Sequence, residues 1–317
     1  MARVLGGGDA QYLRETHFFE RMWVPGEGAP ELDHAAAVHL AARLVSIQRT
    51  GKTYREGDVD AAMDEGRAVI DAATGPFTAP KVFAAFLDYE ATRNGKRVSV
   101  EQTPANVFFL DTILREYPDA RVVNMVRDPR AVIASQKYKY RRKKLGEPDM
   151  PTSEVVRSWS NYHPLVTSRL WAAAVRAAAS KADDRILTVR YEDVLADAGA
   201  TVAKVCAHCG LTYDPSMLQV QRASSSFASD DGGAGLREDA IDSWRDGRLS
   251  PTEVALTEKV AGDLMATHGY QPEGRSPSPV RSAGWYAVLV PKLGLAAALN
   301  IRQIGNPVTA LRRRMRR

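Results

Sequence analysis

The chain has 317 residues, enough for one large or two small domains, and its hydrophobic content of 44% is ordinary for a globular protein and ample for a core. Its two cysteines, Cys206 and Cys209, exclude a framework of several disulfides, and no signal-peptide pattern opens the chain, so we expect a cytoplasmic protein. The net charge of +5 arises at the C-terminal end, because residues 273–317 carry +8 and residues 1–272 carry −3. The negative charge of residues 1–272 argues against nucleic acid as a partner of the domain.

Helix and strand patterns alternate along residues 1–272, which we predict to form the domain, with 273–317 as a separate tail. Helical patterns lie near 34–49, 79–93, 106–116, 129 onward, 153–180, 199–209 and 251–268. Strand patterns lie near 97–102, 121–127 and 185–191. The last helix carries its own start signal, with Ser250 as cap, Pro251 at the first position and Glu253 as the capping-box acid. This alternation predicts an α/β domain with an open parallel sheet flanked by helices.

One strand, turn and helix stand out because they gather groups that bind phosphate. Val122–Val126 is an apolar run typical of a buried strand, and Asp128 and Pro129 suit the cap and first position of the following helix. Arg127 falls at the carboxyl end of the strand, where open α/β sheets bind ligands, and Ser135 lies about two turns into the helix. The pattern predicts a phosphate site made of a guanidinium, a hydroxyl and a helix start. The alternative is a surface arginine paired with Asp128 and an unrelated serine.

Further short segments accompany this motif in a characteristic order. They are Arg14–Phe19, Glu101–Ala105, Tyr117–Arg121, Val126–Arg130, Val189–Val194, Cys209–Leu211, Ser224–Phe227, Asp242–Arg245 and Leu249–Ser250. Over roughly residues 14–270 they resemble the core of sulfotransferases that use 3′-phosphoadenylyl sulfate (PAPS). The resemblance implies a P-loop NTPase-like α/β fold. It also implies metal-free transfer of a sulfuryl group from PAPS to a hydroxyl or amine.

The resemblance also implies which residues hold PAPS. Arg127 and Ser135 match the positions that bind the 3′-phosphate, and Tyr191, Ser225 and Phe227 match positions near the adenine. For Tyr191 and Phe227, inward packing in the core is the alternative.

Residues 230–237 form a glycine-rich run with a basic end, where the family often has a loop that folds over the 3′-phosphate. Arg237 is therefore a further cofactor candidate, although a flexible linker would have the same composition.

The segment Glu15–Phe19 resembles a Glu-x-His-Phe-Phe segment of glycan-type members. That resemblance implies Glu15 as the base that takes the proton of the acceptor hydroxyl. His17 is the second candidate, since an imidazole titrates near neutrality. The alternative is that His17 and the two phenylalanines anchor a loop to the core.

Two features of the family have no match here. A strand and a glycine-rich loop that hold the 5′-phosphosulfate normally precede the Glu-x-His-Phe-Phe segment, and Gly6–Gly8 lacks both a preceding strand and a following Gly-Lys-Ser. We therefore expect a sheet without its first strand and loop. Gln102 stands where the family often has lysine and brings no positive charge to the sulfonate. Both features favour an alternative, a catalytically impaired relative that binds a nucleotide or a partner.

The pair Cys206 and Cys209 ends a helix before Gly210. A zinc site needs four ligands and no second pair has suitable spacing, while a redox Cys-x-x-Cys pair opens a helix rather than ending one. We interpret the pair as structural and expect no metal.

Residues 137–144 hold six basic residues and two tyrosines. As a lid, this run could attract an anionic, hydroxyl-bearing acceptor or stack on a sugar; as a plain helix face, it would be solvated. The sequence leaves carbohydrate, lipid and small-molecule acceptors open.

The tail contains a Pro- and Ser-rich stretch at 275–281, an apolar stretch at 285–299 and five arginines within 312–317. Pro291 and Lys292 interrupt the apolar stretch, so we expect neither half to span a bilayer. An apolar segment with a basic end suits the anionic inner surface of a membrane, which would make the chain a peripheral membrane protein. A terminal helix packed on the domain is the alternative.

Overall fold

The computed structural model describes residues 1–23, 28–51, 56–145, 148, 150–220, 233–235, 241–245 and 247–300. Its α-helices are α1 (Ala2–Leu5), α2 (His34–Thr50), α3 (Glu56–Asp60), α4 (Met63–Asp71), α5 (Ala79–Arg93), α6 (Leu110–Glu116), α7 (Pro129–Lys137), α8 (Arg142–Leu145), α9 (Thr152–Asn161), α10 (Pro164–Ala179), α11 (Tyr191–Ala196), α12 (Ala198–His208), α13 (Pro251–Thr267) and α14 (Pro279–Asn300). Its strands are β1 (Ala10–Tyr12), β2 (Glu31–Leu32), β3 (Phe77–Thr78), β4 (Val98–Val100), β5 (Val122–Val126) and β6 (Ile186–Arg190). A short π-helix lies at Phe18–Met22, and 3₁₀-helices lie at Pro104–Phe109, Lys139–Arg141 and Pro215–Leu218.

The strands are short and, in the part of the chain described, they pair two by two. β1 runs parallel to β4, with Ala10 opposite Val98, while β2 and β3 are antiparallel. β5 lies beside β6, where the amide of Val122 donates to the carbonyl of Arg185 at 2.8 Å and Asn124 donates to Thr188 at 3.2 Å. These two contacts advance together along both strands, so this pair is also parallel. Parallel pairs separated by helices are the α/β arrangement that the sequence predicts.

The chain divides into two compact units. The first consists of Met1–Val123, Asp183–Leu187 and Val202–Val220. Its core is formed by α2, α4 and α5 around Phe18 and Phe19, and Phe18 stacks on Phe83 with ring centres 4.3 Å apart. Burying each of these side chains contributes roughly 2–3 kcal/mol.

A close approach of α4 to α2 explains one glycine of this unit. A Cβ at Gly66 would lie 2.7 Å from the backbone nitrogen of Ala42, so a larger residue would force the two helices apart. The run Gly6–Gly8 has a similar explanation, because a Cβ at Gly6 would lie 2.8 Å from that of Tyr12. The run follows a helix and precedes a strand, which is the reverse of the order in a phosphate-binding loop.

The second unit consists of Asn124–Ala182, Thr188–Thr201 and Gln221–Arg317. In it α7, α10 and α13 pack around Val126, Trp171 and Met265, and a neighbouring cluster surrounds Tyr162 and Trp244. The tail helix α14 belongs to this unit and packs along α9.

Local start signals are confirmed at two helices. The Asp128 carboxylate accepts from the amide of Arg130 at 2.8 Å at the start of α7. Ser250 and Glu253 form the expected capping box at the start of α13. These short-range patterns are reliable because the cap and the amide that it satisfies are close in sequence.

One helix prediction is wrong. The single helix expected over 153–180 is two helices, because Pro164 opens α10 and holds the preceding residue, His163, extended at φ −152° and ψ 129°. At Pro291, where the apolar stretch of the tail is interrupted, helix α14 continues without a break. A proline inside a helix costs about 3 kcal/mol, and packing of α14 on α9 offsets that cost.

Candidate functional site

The end of β5 and the start of α11 bring two predicted cofactor residues into contact. The guanidinium of Arg127 lies over the ring of Tyr191, 4.5 Å from its centre, and its Nη2 donates to the Ser243 hydroxyl at 3.2 Å. The indole N–H of Trp171 donates to the Arg127 carbonyl at 3.0 Å, which fixes the backbone at this point. Arg127 and Tyr191 are both half-buried, so the pair borders solvent without being fully exposed.

This contact follows from the strand pairing. Arg127 comes directly after β5, and Tyr191 comes directly after the neighbouring strand β6. Because the carboxyl ends of neighbouring parallel strands meet at one edge of a sheet, the two side chains emerge side by side. Stacking of a guanidinium on an aromatic ring stabilises such a pair by roughly 0.5–2 kcal/mol and presents the cation at a defined position.

The start of α7 is held by a buried ion-pair cluster. The Arg130 guanidinium donates to Asp128 at 2.7 Å and to Glu258 at 2.9 Å, and it lies 4.1 Å from the ring centre of Trp244. Burial alone would lower the pKa of Arg130, but its bonds to the two carboxylates raise it overall. The first turn of α7 is thus capped by the protein's own carboxylate, so the amide of Arg130 is not open to a ligand.

Glu192 joins this cluster to the start of α11. One of its carboxylate oxygens accepts from the amide of Asp128 at 3.0 Å, and the other accepts from the Tyr270 hydroxyl at 2.6 Å. Burial and the bond to Glu192 raise the pKa of Tyr270 far above its usual value, so the phenol stays protonated and keeps donating. The backbone on both sides of the Arg127–Tyr191 pair is therefore fixed by charge-assisted hydrogen bonds.

Ser135 lies in the last turn of α7 and is half-buried. It makes no hydrogen bond to Arg127 and lies about 10 Å along the helix axis from Asp128, at 1.5 Å per residue. Three other predicted cofactor residues, Ser225, Phe227 and Arg237, lie outside the described residues.

Ser243 and Trp244 were not among the predicted site residues, although both belong to the segment Asp242–Arg245 that carries part of the family resemblance. Ser243 is buried and touches Arg127, and Trp244 lies between the guanidinium groups of Arg130 and Arg245. The resemblance of this segment was the signal that could have indicated Ser243, because a serine next to a buried aromatic residue is held in a fixed position.

Glu15 and His17 lie in the first unit, in contact with each other. His17 Nδ1 is 2.8 Å from the Glu20 carboxylate, and Nε2 is 3.6 Å from the Glu15 carboxylate. The two residues that follow, Phe18 and Phe19, are buried in the core, so they anchor the loop while His17 stays partly exposed. One carboxylate orients the imidazole, and the other faces solvent beside it.

The backbone around His17 is strained and tightly held. Its φ of 53° is uncommon for a residue other than glycine and costs about 1 kcal/mol or more. Its amide donates to the Thr103 hydroxyl at 3.2 Å. The Glu101 carboxylate accepts from the amides of Thr16 and Thr103 at 3.0 and 3.1 Å and from the Asn106 side chain at 2.6 Å. Residue 101, just before the exposed Gln102, thus organises the loop that carries Glu15.

The basic run at 137–144 is only partly a solvated face. Lys137 donates to the buried Glu253 carboxylate at 2.8 Å and to the carbonyl of Arg248 at 3.0 Å. Although burial would raise the pKa of Glu253, hydrogen bonds from Lys137 and Tyr162 hold it below its usual value. Arg141 lies over Tyr138, 4.6 Å from its ring centre. The first residues of the run are therefore structural.

The two cysteines lie at the end of α12. Cys206 is buried, and burial raises the pKa of Cys209 to about 11, so both thiols stay protonated at neutral pH. Gly210 turns the chain at φ 63°, and the amide of Leu211 donates back to the Cys206 carbonyl at 2.8 Å. Within the described ranges, no group of three or more His, Cys, Asp or Glu side chains could hold a metal ion.

Comparison with known proteins gives one family and two similar structures. A sequence profile of the sulfotransferase family matches residues 27–215. No curated protein sequence matches the chain significantly. The sulfotransferase domain from the curacin biosynthetic pathway is 16% identical, with a TM-score of 0.48 over 83% of this chain and 91% of that one. The sulfotransferase domain from the Synechococcus PCC 7002 olefin synthase is 18% identical, with a TM-score of 0.48 over 83% and 88% of the two chains.

Proposed function

The chain belongs to the sulfotransferase family, and from that premise we propose that it transfers a sulfuryl group from PAPS to a hydroxyl or amine of an acceptor. The match spans more than half of the chain and includes Arg127, Ser135 and Tyr191. Membership makes the protein a transferase with the P-loop-like α/β fold of that family. The donor, the acceptor and the residue roles are the proposal.

The Arg127–Tyr191 pair is the observation that carries this proposal. A guanidinium held at the carboxyl end of a strand suits a phosphate, because charge-assisted hydrogen bonds are about twice as strong as neutral ones. We assign Arg127 to the 3′-phosphate, with the Ser135 hydroxyl as a further donor. One face of Tyr191 is covered by Arg127, and we assign the tyrosine ring to contact with the adenine.

The reaction needs little covalent chemistry from the protein. The acceptor oxygen attacks the sulfur in line, the bond from sulfur to the 5′-phosphate oxygen breaks, and 3′-phosphoadenosine 5′-phosphate (PAP) leaves. As in phosphoryl transfer, positioning and stabilisation of spread negative charge supply most of the rate.

We assign Glu15 as the base that takes the acceptor proton. Its carboxylate is half-exposed and lies 3.6 Å from His17 Nε2, so a hydroxyl can approach it while the imidazole limits its movement. Glu20 holds the other nitrogen of that imidazole. His17 is thus a positioning residue in this scheme, and its strained backbone is the cost of placing it there.

Incubation of the purified chain with PAPS and a panel of hydroxylated acceptors, followed by detection of PAP, tests the function. PAP release that depends on an acceptor supports the proposal. Binding of PAP without turnover on any acceptor would instead support the nucleotide-binding alternative, to which the uncharged, exposed Gln102 points.

A further inference from the structure

A groove of about 830 Å³ lies within the second unit, between the segment after α7, helix α9 and helix α14. Its walls include five aromatic side chains: Tyr138, Tyr140, Trp159, Tyr162 and Trp285. A volume of this size is within the usual range for small-molecule sites, which are mostly apolar with few polar groups.

Two tyrosines of the aromatic wall are held in place by hydrogen bonds that their hydroxyls donate. The Tyr162 hydroxyl donates to Glu253, and the Tyr138 hydroxyl donates to the Arg248 carbonyl at 3.2 Å. Trp285 stands edge-on to Tyr162 and His163, and its carbonyl lies 2.9 Å from His163 Nε2. Tyr138 and Tyr162 therefore present ring faces rather than hydroxyls to the groove, which suits an apolar body.

The charge of the groove is positive. Lys137, Arg281 and Lys292 line it, and none of its described lining residues is acidic. Lys137 is neutralised by Glu253. Lys292 donates to the Tyr162 carbonyl at 2.8 Å and lies 4.6 Å from the ring centre of Trp159, and burial lowers its pKa. Arg281 is exposed at the rim, where it can meet an anionic group from solvent.

The groove is lined by a residue of the helix that also carries a proposed PAPS residue. Lys137 is two residues after Ser135 in the same helix, which is about 3 Å along the helix axis. Residues two positions apart do not face the same side of a helix, so the groove and the Ser135 side chain lie on different faces of α7.

From these observations we propose that the groove binds an amphiphile with an apolar body against the aromatic wall and an anionic group at Arg281. A role of the groove as the acceptor site rests on the proposed sulfotransferase function, whereas binding of the amphiphile does not depend on that function.

Calorimetric titration with decyl phosphate below its critical micelle concentration tests the proposal. We expect saturable binding of one decyl phosphate per chain, with weaker binding of decanol and weakest binding of decyltrimethylammonium. R281Q should weaken the binding of decyl phosphate about tenfold, to the affinity of decanol. W159A should weaken the binding of decyl phosphate, decanol and decyltrimethylammonium. Leu170→Ala, on the exposed face of α10, is the control that should change nothing.

Binding that is absent, or that is the same in W159A as in the parent, overturns the proposal. A parallel titration with PAP separates it from the proposed function. If the chain binds decyl phosphate but not PAP, the proposed sulfotransferase function is overturned and the proposed groove site stands. If it binds PAP but not decyl phosphate, only the proposed groove site is overturned.

The opposite side of α14 carries a second, independent inference. Its outward face shows Val280 82% exposed and Val290 74% exposed, together with the half-exposed Tyr286 and Leu293. The helix has 22 residues, a mean hydropathy of 1.3 in its most apolar window and no acidic residue, and by length and composition it could cross a membrane.

Contacts within the unit favour a helix that lies on a surface rather than one that spans it. Lys292, in the middle of α14, bonds to backbone carbonyls near the end of α9, and Asn300 bonds to Arg157 and Asn161 at 3.1 and 2.9 Å. One side of the helix is therefore held against protein between Trp285 and Asn300. The sequence after it, residues 301–317, contains six arginines and no acidic residue, which complements an anionic surface.

We infer that the outward face of α14 lies against anionic phospholipid. Sedimentation with vesicles of phosphatidylcholine, with and without phosphatidylglycerol, tests this. The full chain should sediment with the anionic vesicles only, and less at high salt. Leu293→Asp should reduce the bound fraction about tenfold or more, while Leu170→Asp, the same substitution on an exposed site of α10, should not. The inference is overturned if the chain does not sediment with anionic vesicles, or if the bound fraction falls equally in Leu293→Asp and Leu170→Asp. It is also overturned if the chain is a dimer in solution and Leu293→Asp dissociates that dimer.

Discussion

Replacing Arg127 by alanine tests the phosphate site at the level of a single functional group. The guanidinium is half-buried, stacked on Tyr191 and bonded to Ser243, so it is already in place before a ligand binds. Hydrogen bonds to charged groups contribute about 1.5–3 kcal/mol each, and a guanidinium can make two to one phosphate. Because the site borders solvent, we expect the substitution to weaken the binding free energy of PAP by about 2–4 kcal/mol, which raises its Kd roughly 30- to 1000-fold.

The ligand supplies the second half of the test. Adenosine 5′-phosphate lacks the 3′-phosphate, so its affinity should be nearly the same in the parent chain and in Arg127→Ala. Calorimetry with both nucleotides on both proteins gives the coupling between Arg127 and the 3′-phosphate directly. Arg169→Ala, at an exposed position on α10, is the control for loss of positive charge. Equal losses for the two nucleotides would show that Arg127 acts through the fold, and no loss for PAP would refute the assignment.

Other changes address the base and the stability of the second unit. Glu15→Gln should lower kcat about 10²- to 10⁴-fold with the Kd for PAP unchanged, and unaltered turnover would remove Glu15 as the base. Glu253→Gln should lower the free energy of unfolding in urea by about 2–3 kcal/mol, because Lys137 is left half-buried without its carboxylate partner. An unchanged midpoint of urea unfolding would argue against Glu253 as the stabilising partner of Lys137. The pKa of Glu253 is lowered on folding, so its contribution is present above its ordinary value of 4.5 and is lost as the pH falls through the lower value of the folded chain. The difference in stability between parent and variant should therefore narrow in acid, and a constant difference would contradict the assignment.

Short-range rules predicted the helix starts but not the long-range contacts. Asp128 and Ser250 cap their helices as expected, because cap and amide are neighbours in sequence. The break before Pro164 was also within reach of such rules, since proline disfavours a helical residue before it. The ion pair of Arg130 with Glu258 joins residues 128 positions apart, and no local pattern announces it.

The site shows the same division. The resemblance named Arg127 and Tyr191, and the pairing of β5 with β6 explains why they meet. Ser243 was missed because its contact depends on the path of a loop, which the sequence alone does not give. Helix α14 continues through Pro291 because α9 supports it, and packing of this kind overrides local propensity.

Titration of the purified full-length chain with PAP tests the central claim most directly. We predict saturable binding of one PAP per chain, at least tenfold tighter than adenosine 5′-phosphate, because the extra phosphate meets Arg127. Absence of binding, or equal affinity for the two nucleotides, would contradict it.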